Sequence, residues 1–185
     1  MTARIKTDIQ ARSINNNYWI IFGKTLGWLL LGAAAGFAFF YFFKDLSVLL
    51  INKFKFLQNI FGIREYQEGM SFANVLLMIA IGNLVSTAAY FTLGYLRALI
   101  PIAILSGFFV IVLLMAGTVR HLTAIPMEVI LLSSVETLYR MLALTTGEHL
   151  QRNRFRKRWV LIVPPVMILL LLVLAVVYEM MQIFG

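Results

Sequence analysis

Five long apolar stretches leave this chain few ways to fold. Residues 19–43, 72–96, 98–118, 124–147 and 159–181 each reach the length, about 20 residues, that a helix needs to cross a hydrocarbon core roughly 30 Å thick. Within such a core a backbone must satisfy its own hydrogen bonds, which leaves helices or a closed barrel. The runs are continuous rather than alternating, so the expectation is an all-α polytopic bundle in one membrane domain, residues 1–185. Composition excludes the soluble alternative: 61% of the 185 residues are hydrophobic and 13% are charged, more apolar surface than a globule of this size can hide. There is no cysteine, so a disulfide framework and thiolate metal ligation are excluded.

The segments between the runs differ in character. Residues 1–18 are polar, and the run after them is too long for a cleaved signal sequence, so it reads as an uncleaved span with Tyr18 and Trp19 at one interface and Tyr41 at the other. Gly23, Gly27, Gly32 and Gly36 form two GxxxG pairs along it, the spacing of a close helix contact. Residues 46–62 place Leu49, Leu50, Phe54, Leu57 and Phe61 at helical spacing with Lys53 and Lys55 between, which predicts an amphipathic interfacial helix. The joint between the second and third runs is only a few residues around Arg97, predicting an antiparallel hairpin. Pro126 suits the first turn of the fourth run; Pro164 and Pro165 either kink the fifth or mark where its regular helix begins.

The net charge is +8, and the cations cluster between the runs. With the N-terminus inside, the inner segments hold nine of them (Arg4, Lys6, Arg12, Arg97, Arg152, Arg154, Arg156, Lys157 and Arg158) and the outer segments five (Lys44, Lys53, Lys55, Arg64 and Arg120). This predicts a cytoplasmic N-terminus and an external C-terminus. Residues 148–158 are expected to be a cytoplasmic loop whose Arg152, Arg154, Arg156, Lys157 and Arg158 hold lipid headgroups. Nucleic acid is not expected as a partner, because this basic stretch is short and abuts a span.

The fourth run raises the chemical question. It carries Glu128, Glu136 and Arg140, and each charge costs roughly 2.5–3.5 kcal/mol at the centre of a membrane helix. Glu136 and Arg140 are four apart with the acid first, the favourable order for a helical ion pair. Glu128 and Glu136 are separated by about 80° around a helix, so all three are expected on one face turned into the protein, with Tyr139 between. Asn83, Ser86 and Thr87 on the second run are candidates to hydrogen-bond that face. The cluster reads as a structural lock, as a proton or ion path, or as a contact face for a partner subunit. No metal or cofactor is expected: the only histidines, His121 and His149, fall on opposite sides of the membrane, and no phosphate loop, HExxH or nucleophile elbow occurs. His121 fits an interfacial cap or an ion partner of Glu128.

Asn83, Gly94, Pro101 and Gly107 in "GNLVSTAAYFTLGYLRALIPIAILSGF", followed by His121 and Pro126 in "RHLTAIPMEV", form a pattern that resembles the stage II sporulation protein M family over roughly residues 72–150. The family's acid before the proline is replaced here by Ile125. The resemblance implies a polytopic helical protein that partners other membrane components, in spore formers the peptidoglycan-degrading engulfment proteins. The expected function is therefore a non-enzymatic scaffold or accessory subunit, bound to membrane lipids and to other membrane subunits or a second copy of itself. The alternative is a small transporter or channel using Glu128, Glu136 and Arg140.

Overall fold

The computed structural model describes residues 17–60, 69–121, 125–153 and 158–184, with side chains described at all of these except 54–60, 120, 121 and 158. Among the described residues there are six α-helices and no strand: α1 (Tyr18–Phe42), α2 (Lys44–Ile60), α3 (Phe72–Tyr95), α4 (Leu99–His121), α5 (Met127–Asn153) and α6 (Val163–Phe184), the last preceded by a 3₁₀ turn over Arg158–Leu161. Five stretches, containing α1, α3, α4, α5 and α6, are long and apolar enough to cross a membrane. The fold is an all-α membrane bundle.

The helix ends follow from local chemistry. Asn17 caps α1, its side chain accepting from the Trp19 N–H, and Ser71 caps α3 by accepting from the Asn74 N–H. The α3 C-terminus closes with the Ala98 N–H on the Leu93 carbonyl at 3.0 Å and the Arg97 N–H on the Gly94 carbonyl at 2.9 Å. This is a Schellman closure, and it holds Arg97 at φ 63°, a left-handed conformation that usually takes glycine. Pro101 lies in the first turn of α4, where its missing N–H costs nothing. Pro126 stands just before α5 rather than inside its first turn, and its carbonyl accepts from Val129 and Ile130. Pro164 and Pro165 occupy the start of α6, so they begin the helix and do not kink it.

Two parallel pairs make the bundle. A Cβ added to Gly32 would strike the Ile104 carbonyl, and one on Gly36 the Phe108 carbonyl; each step of four along α1 matches a step of four along α4, so the two helices run the same way. Gly107 answers from α4, pressed against the Leu29 carbonyl. The second pair is α3 with α5. Gly94 lies against the Leu144 carbonyl and Gly147 against the Phe91 carbonyl. Arg97 Nε donates to Gln151 Oε1 at 2.7 Å, across the same 54-residue offset that separates Gly94 from Glu148, so this pair is also parallel. α6 runs antiparallel beside them: Val75 and Ile79 of α3 pack on Val176 and Met180, and the Phe72 and Phe184 rings meet at 5.3 Å. α2 lies against α4, with Ile51 buried on Val112 and Ala116.

Two expectations are corrected. α3 and α4 do not form a packed hairpin. They meet near their joint, where the hydroxyls of Tyr90 and Ser106 are 2.8 Å apart, and otherwise take different partners. The reason lies in the glycines: backbones approach most closely where small residues face each other, and Gly94 and Gly107 turn to α5 and α1 respectively. In addition, α5 does not end at residue 147. The expected loop residues 148–153 are its final turns, stabilised by Arg152 pairing with Glu148 one turn back and lying at the negative end of the helix dipole. All ten residues from Met141 to Leu150 are buried, which makes this part of α5 the centre of the bundle.

Candidate functional site

The buried half of α5 carries Thr145, Thr146, Glu148 and His149, none more than 2% exposed. α1 brings Tyr18 and Thr25 to them, both with no exposed surface. The Thr146 hydroxyl donates to the Leu142 carbonyl at 2.7 Å; the Tyr18 hydroxyl lies 3.2 Å from the Thr146 hydroxyl and 3.4 Å from that same carbonyl, so its one proton is shared between the two. Thr25 donates its one proton to the Ile21 carbonyl at 2.9 Å and accepts from Thr145 at 3.1 Å. Glu148 accepts from Arg152 Nε at 2.6 Å through Oε1, while its buried Oε2 meets no donor among the described residues. The His149 ring lies edge-on to Tyr18 at 5.6 Å, and the Asn153 amide donates to the His149 carbonyl at 3.1 Å. Trp159 completes this end by stacking edge-on against Tyr18 at 5.7 Å.

A second polar group sits higher on α5. Arg140 Nη2 donates to Glu136 Oε2 at 3.1 Å, with side chains 24% and 22% exposed. Tyr139 between them is fully buried; its hydroxyl and Arg140 Nε meet no partner among the described residues. The Arg140 guanidinium lies 5.7 Å from the Tyr139 ring centre. From α6, Glu179 comes within electrostatic reach of both Glu136 and Arg140. Glu136 pairs with this guanidinium directly, and Glu179 sets a second carboxylate within electrostatic range of it. The register of α3 on α5 sets Asn83, 7% exposed, at the height of this group.

The expected cluster is thus reassigned in part. Glu128 is exposed in the first turn of α5, two turns from Glu136, where an acid suits the positive end of the helix dipole. Thr87 spends its proton on the Asn83 carbonyl of its own helix, at 2.7 Å, and Ser86 is half-buried. The pair Glu136–Arg140 has Glu179 of α6 within electrostatic reach, and α5 packs mainly on α3 and α6 rather than on a hairpin of α3 and α4. Of the four α1 glycines, Gly32 and Gly36 make the close crossing, while Gly23 and Gly27 face open space. Gly94 and Gly107 lie at the two crossings. The side chain of His121, and Arg4, Lys6, Arg12, Arg64, Arg154, Arg156 and Lys157, lie outside the described residues, as does the side chain of Arg158.

Glu179, Glu148 and His149 are additions that sequence reasoning missed. Glu179 had a signal: it is a lone acid in an apolar run, the test that singled out Glu136. The other two were hidden by ending the helix at Gly147, although nothing from there to Asn153 breaks a helix. Among the described residues no group of three or more histidines and carboxylates could hold a metal ion. No protein-family model, curated protein or solved structure matches the chain.

Proposed function

We infer that this protein is a non-enzymatic membrane scaffold or accessory subunit of a larger membrane complex, as its resemblance to stage II sporulation protein M suggests. One observation carries the reading: the buried hydroxyls of Tyr18, Thr25, Thr145 and Thr146 bond to one another or to backbone within the chain. Tyr18 bonds Thr146, Thr25 bonds Thr145, and Glu148 holds Arg152. Bonds of this kind between membrane helices hold helices in place. The glycine crossings add backbone contact that resists sliding. Outside, α3 and α6 present large apolar side chains such as Leu77, Ile81, Leu84, Leu170 and Val173, a surface suited to lipid or to another membrane helix.

Under this reading the N-terminus is cytoplasmic and the C-terminus external. Because the chain has no cysteine, single cysteines report sidedness directly. A probe at Gln151 is expected to react only after the membrane is permeabilised from outside; reaction in intact cells would reverse the topology. Native mass spectrometry of the protein ejected from its own membrane is expected to show a heteromeric assembly. A lone monomer or homomer would count against the scaffold.

Transport is the second reading, favoured by the Glu136–Arg140 pair with Glu179 within electrostatic range and the buried Tyr139 hydroxyl beside it, which meets no partner in hydrogen-bond geometry among the described residues. It requires proton or solute flux in liposomes that Glu136→Gln or Glu179→Gln abolishes without loss of folded protein.

A further inference from the structure

The two parallel pairs repeat one another in detail. The contact of Gly32 with the Ile104 carbonyl recurs as that of Gly94 with the Leu144 carbonyl. The same two shifts, from α1 to α3 and from α4 to α5, carry Gly107, pressed on the Leu29 carbonyl and the Ala33 nitrogen, to Gly147, pressed on the Phe91 carbonyl and the Tyr95 nitrogen. The sequence obeys them too: "TLGWLLLG" at 25–32 is answered by "TAAYFTLG" at 87–94, and "IAILSG" at 102–107 by "LALTTG" at 142–147. Hydroxyls keep their places: Thr25 and Thr87 each bond the carbonyl four residues back, as do Ser106 and Thr146. Because the short joint at Arg97 turns the chain around, the α3–α5 pair runs opposite to the α1–α4 pair. One two-helix unit therefore occurs twice with inverted direction. Many secondary transporters are built on that plan, with the substrate site between the copies.

Contact between the copies is one-sided. Near the joint Thr25 bonds Thr145, the Tyr90 and Ser106 hydroxyls meet, and Leu99 and Ala103 pack with Met141 and Leu144. One face of α5 runs Thr145, Met141, Leu138, Ser134 and Leu131 at helical spacing. Its first two members have no exposed surface, whereas Leu138 is 38% exposed, Ser134 is exposed and Leu131 is 49% exposed. The α4 face that meets it changes in the same way. Leu99, Ala103 and Ser106 are buried, Leu113 is 42% exposed, and a Cβ on Gly117 would meet nothing within 4 Å. The units thus close on each other at the joint end and part toward the other end, leaving a cleft between α4 and α5. At the parted end α2 packs on α4 and α6 on α3, so each unit carries its own flanking helix. The two cleft faces carry hydroxyls, such as Ser106 and Ser134, and no charged side chain.

We propose that the two inverted units rock against each other, closing this cleft as they part near the joint, and that the cleft is the path of an uncharged amphiphilic solute. A charged solute would find no counter-charge on these faces. The proposal goes beyond the scaffold reading, and it does not use the Glu136–Arg140 pair on which the transport reading rests.

The width of the cleft is the test. Leu113 and Leu131 lie ten residues from Ala103 and Met141 respectively, so an antiparallel register sets them opposite each other across it. Spin labels at Leu113→Cys and Leu131→Cys are read by double electron–electron resonance on the full chain in lipid nanodiscs. Two distances are expected, the longer from the arrangement described above. Tyr18→Phe with Thr145→Val removes two contacts that hold the joint end closed. It is expected to move population from the long distance to the short one, roughly three-fold for each bond at the strength usual between membrane helices. A bundle that is only loosened would not narrow at its far end. A single distance in both proteins, or a cleft unchanged or widened in the variant, overturns the proposal. Ser134→Cys checks the path separately, in a chain otherwise unaltered. It is expected to react with a charged methanethiosulfonate, as Glu128→Cys in the exposed first turn of α5 does. An unreactive Ser134→Cys beside a reactive Glu128→Cys would mean that lipid fills the cleft, and would overturn the solute path.

Discussion

The most consequential single residue is Arg140, because it pairs with Glu136 and has the Glu179 carboxylate of a second helix within electrostatic range. Removing it takes away the cation within range of both Glu136 and Glu179, whereas removing Glu136 leaves Arg140 within range of Glu179. Arg140→Met is therefore expected to lower the melting temperature in detergent more than Glu136→Gln, and Arg140→Met with Glu136→Gln together less than Arg140→Met alone. The coupling between the two should fall in the range of roughly 0.5–3 kcal/mol seen for residues in one network. Additive effects in a double-mutant cycle would refute the shared arrangement. At the other polar centre, Tyr18→Phe removes the hydroxyl that contacts Thr146 and the Leu142 carbonyl but leaves Thr146 bonded to Leu142. The expected loss is about 0.6 kcal/mol, typical of interhelical bonds in membranes. A loss several times larger would mean that the phenol has a role beyond that bond.

At the scale of the helix, glycine position decides partner choice. Gly32, Gly36 and Gly107 form one crossing and Gly94 and Gly147 the other, and at each a Cβ would strike backbone that cannot swing aside. Gly94→Val and Gly107→Val are expected to destabilise by more than the roughly 1–3 kcal/mol of ordinary overpacking, since two backbones must separate. Gly23→Ala adds a methyl in open space and is expected to be neutral or slightly stabilising, because alanine is the better helix former. Thermal unfolding of the three variants checks the order. A Gly23→Ala loss equal to that of Gly94→Val would mean that helix propensity, not contact, sets the effect. The end of α5 obeys a related logic: Glu148 and Arg152 extend the helix by pairing across one turn, which moves Glu148 and His149 from an expected loop into the core.

For the whole molecule, the arrangement is two parallel pairs interleaved in sequence, with α6 antiparallel against the second. Cysteine pairs distinguish it from a row of hairpins. Phe39→Cys with Phe108→Cys replaces rings 5.3 Å apart, and Phe72→Cys with Phe184→Cys another pair at 5.3 Å. Both are expected to cross-link with a short bis-thiol reagent. Leu84→Cys with Leu113→Cys would face each other in a packed hairpin of α3 and α4, but both side chains are exposed here, so no cross-link is expected. The reverse pattern would restore the hairpin.

The class, the helical content and the approximate position of every apolar stretch could be read from the chain, because a hydrocarbon core demands length and internal hydrogen bonding, and both are local properties. The i,i+4 pairing of Glu136 with Arg140 was legible for the same reason: the helix itself sets their spacing. Partner choice was not legible. Gly94 and Gly107 lie on either side of the same short joint, and only the packed bundle decides that one turns to α5 and the other to α1. Glu179 joins Glu136 across helices far apart in sequence, and Thr145 meets Thr25 across 120 residues. Contacts of that kind carry no periodic signal, since they depend on which faces of already formed helices come closest once the glycines have set the crossings.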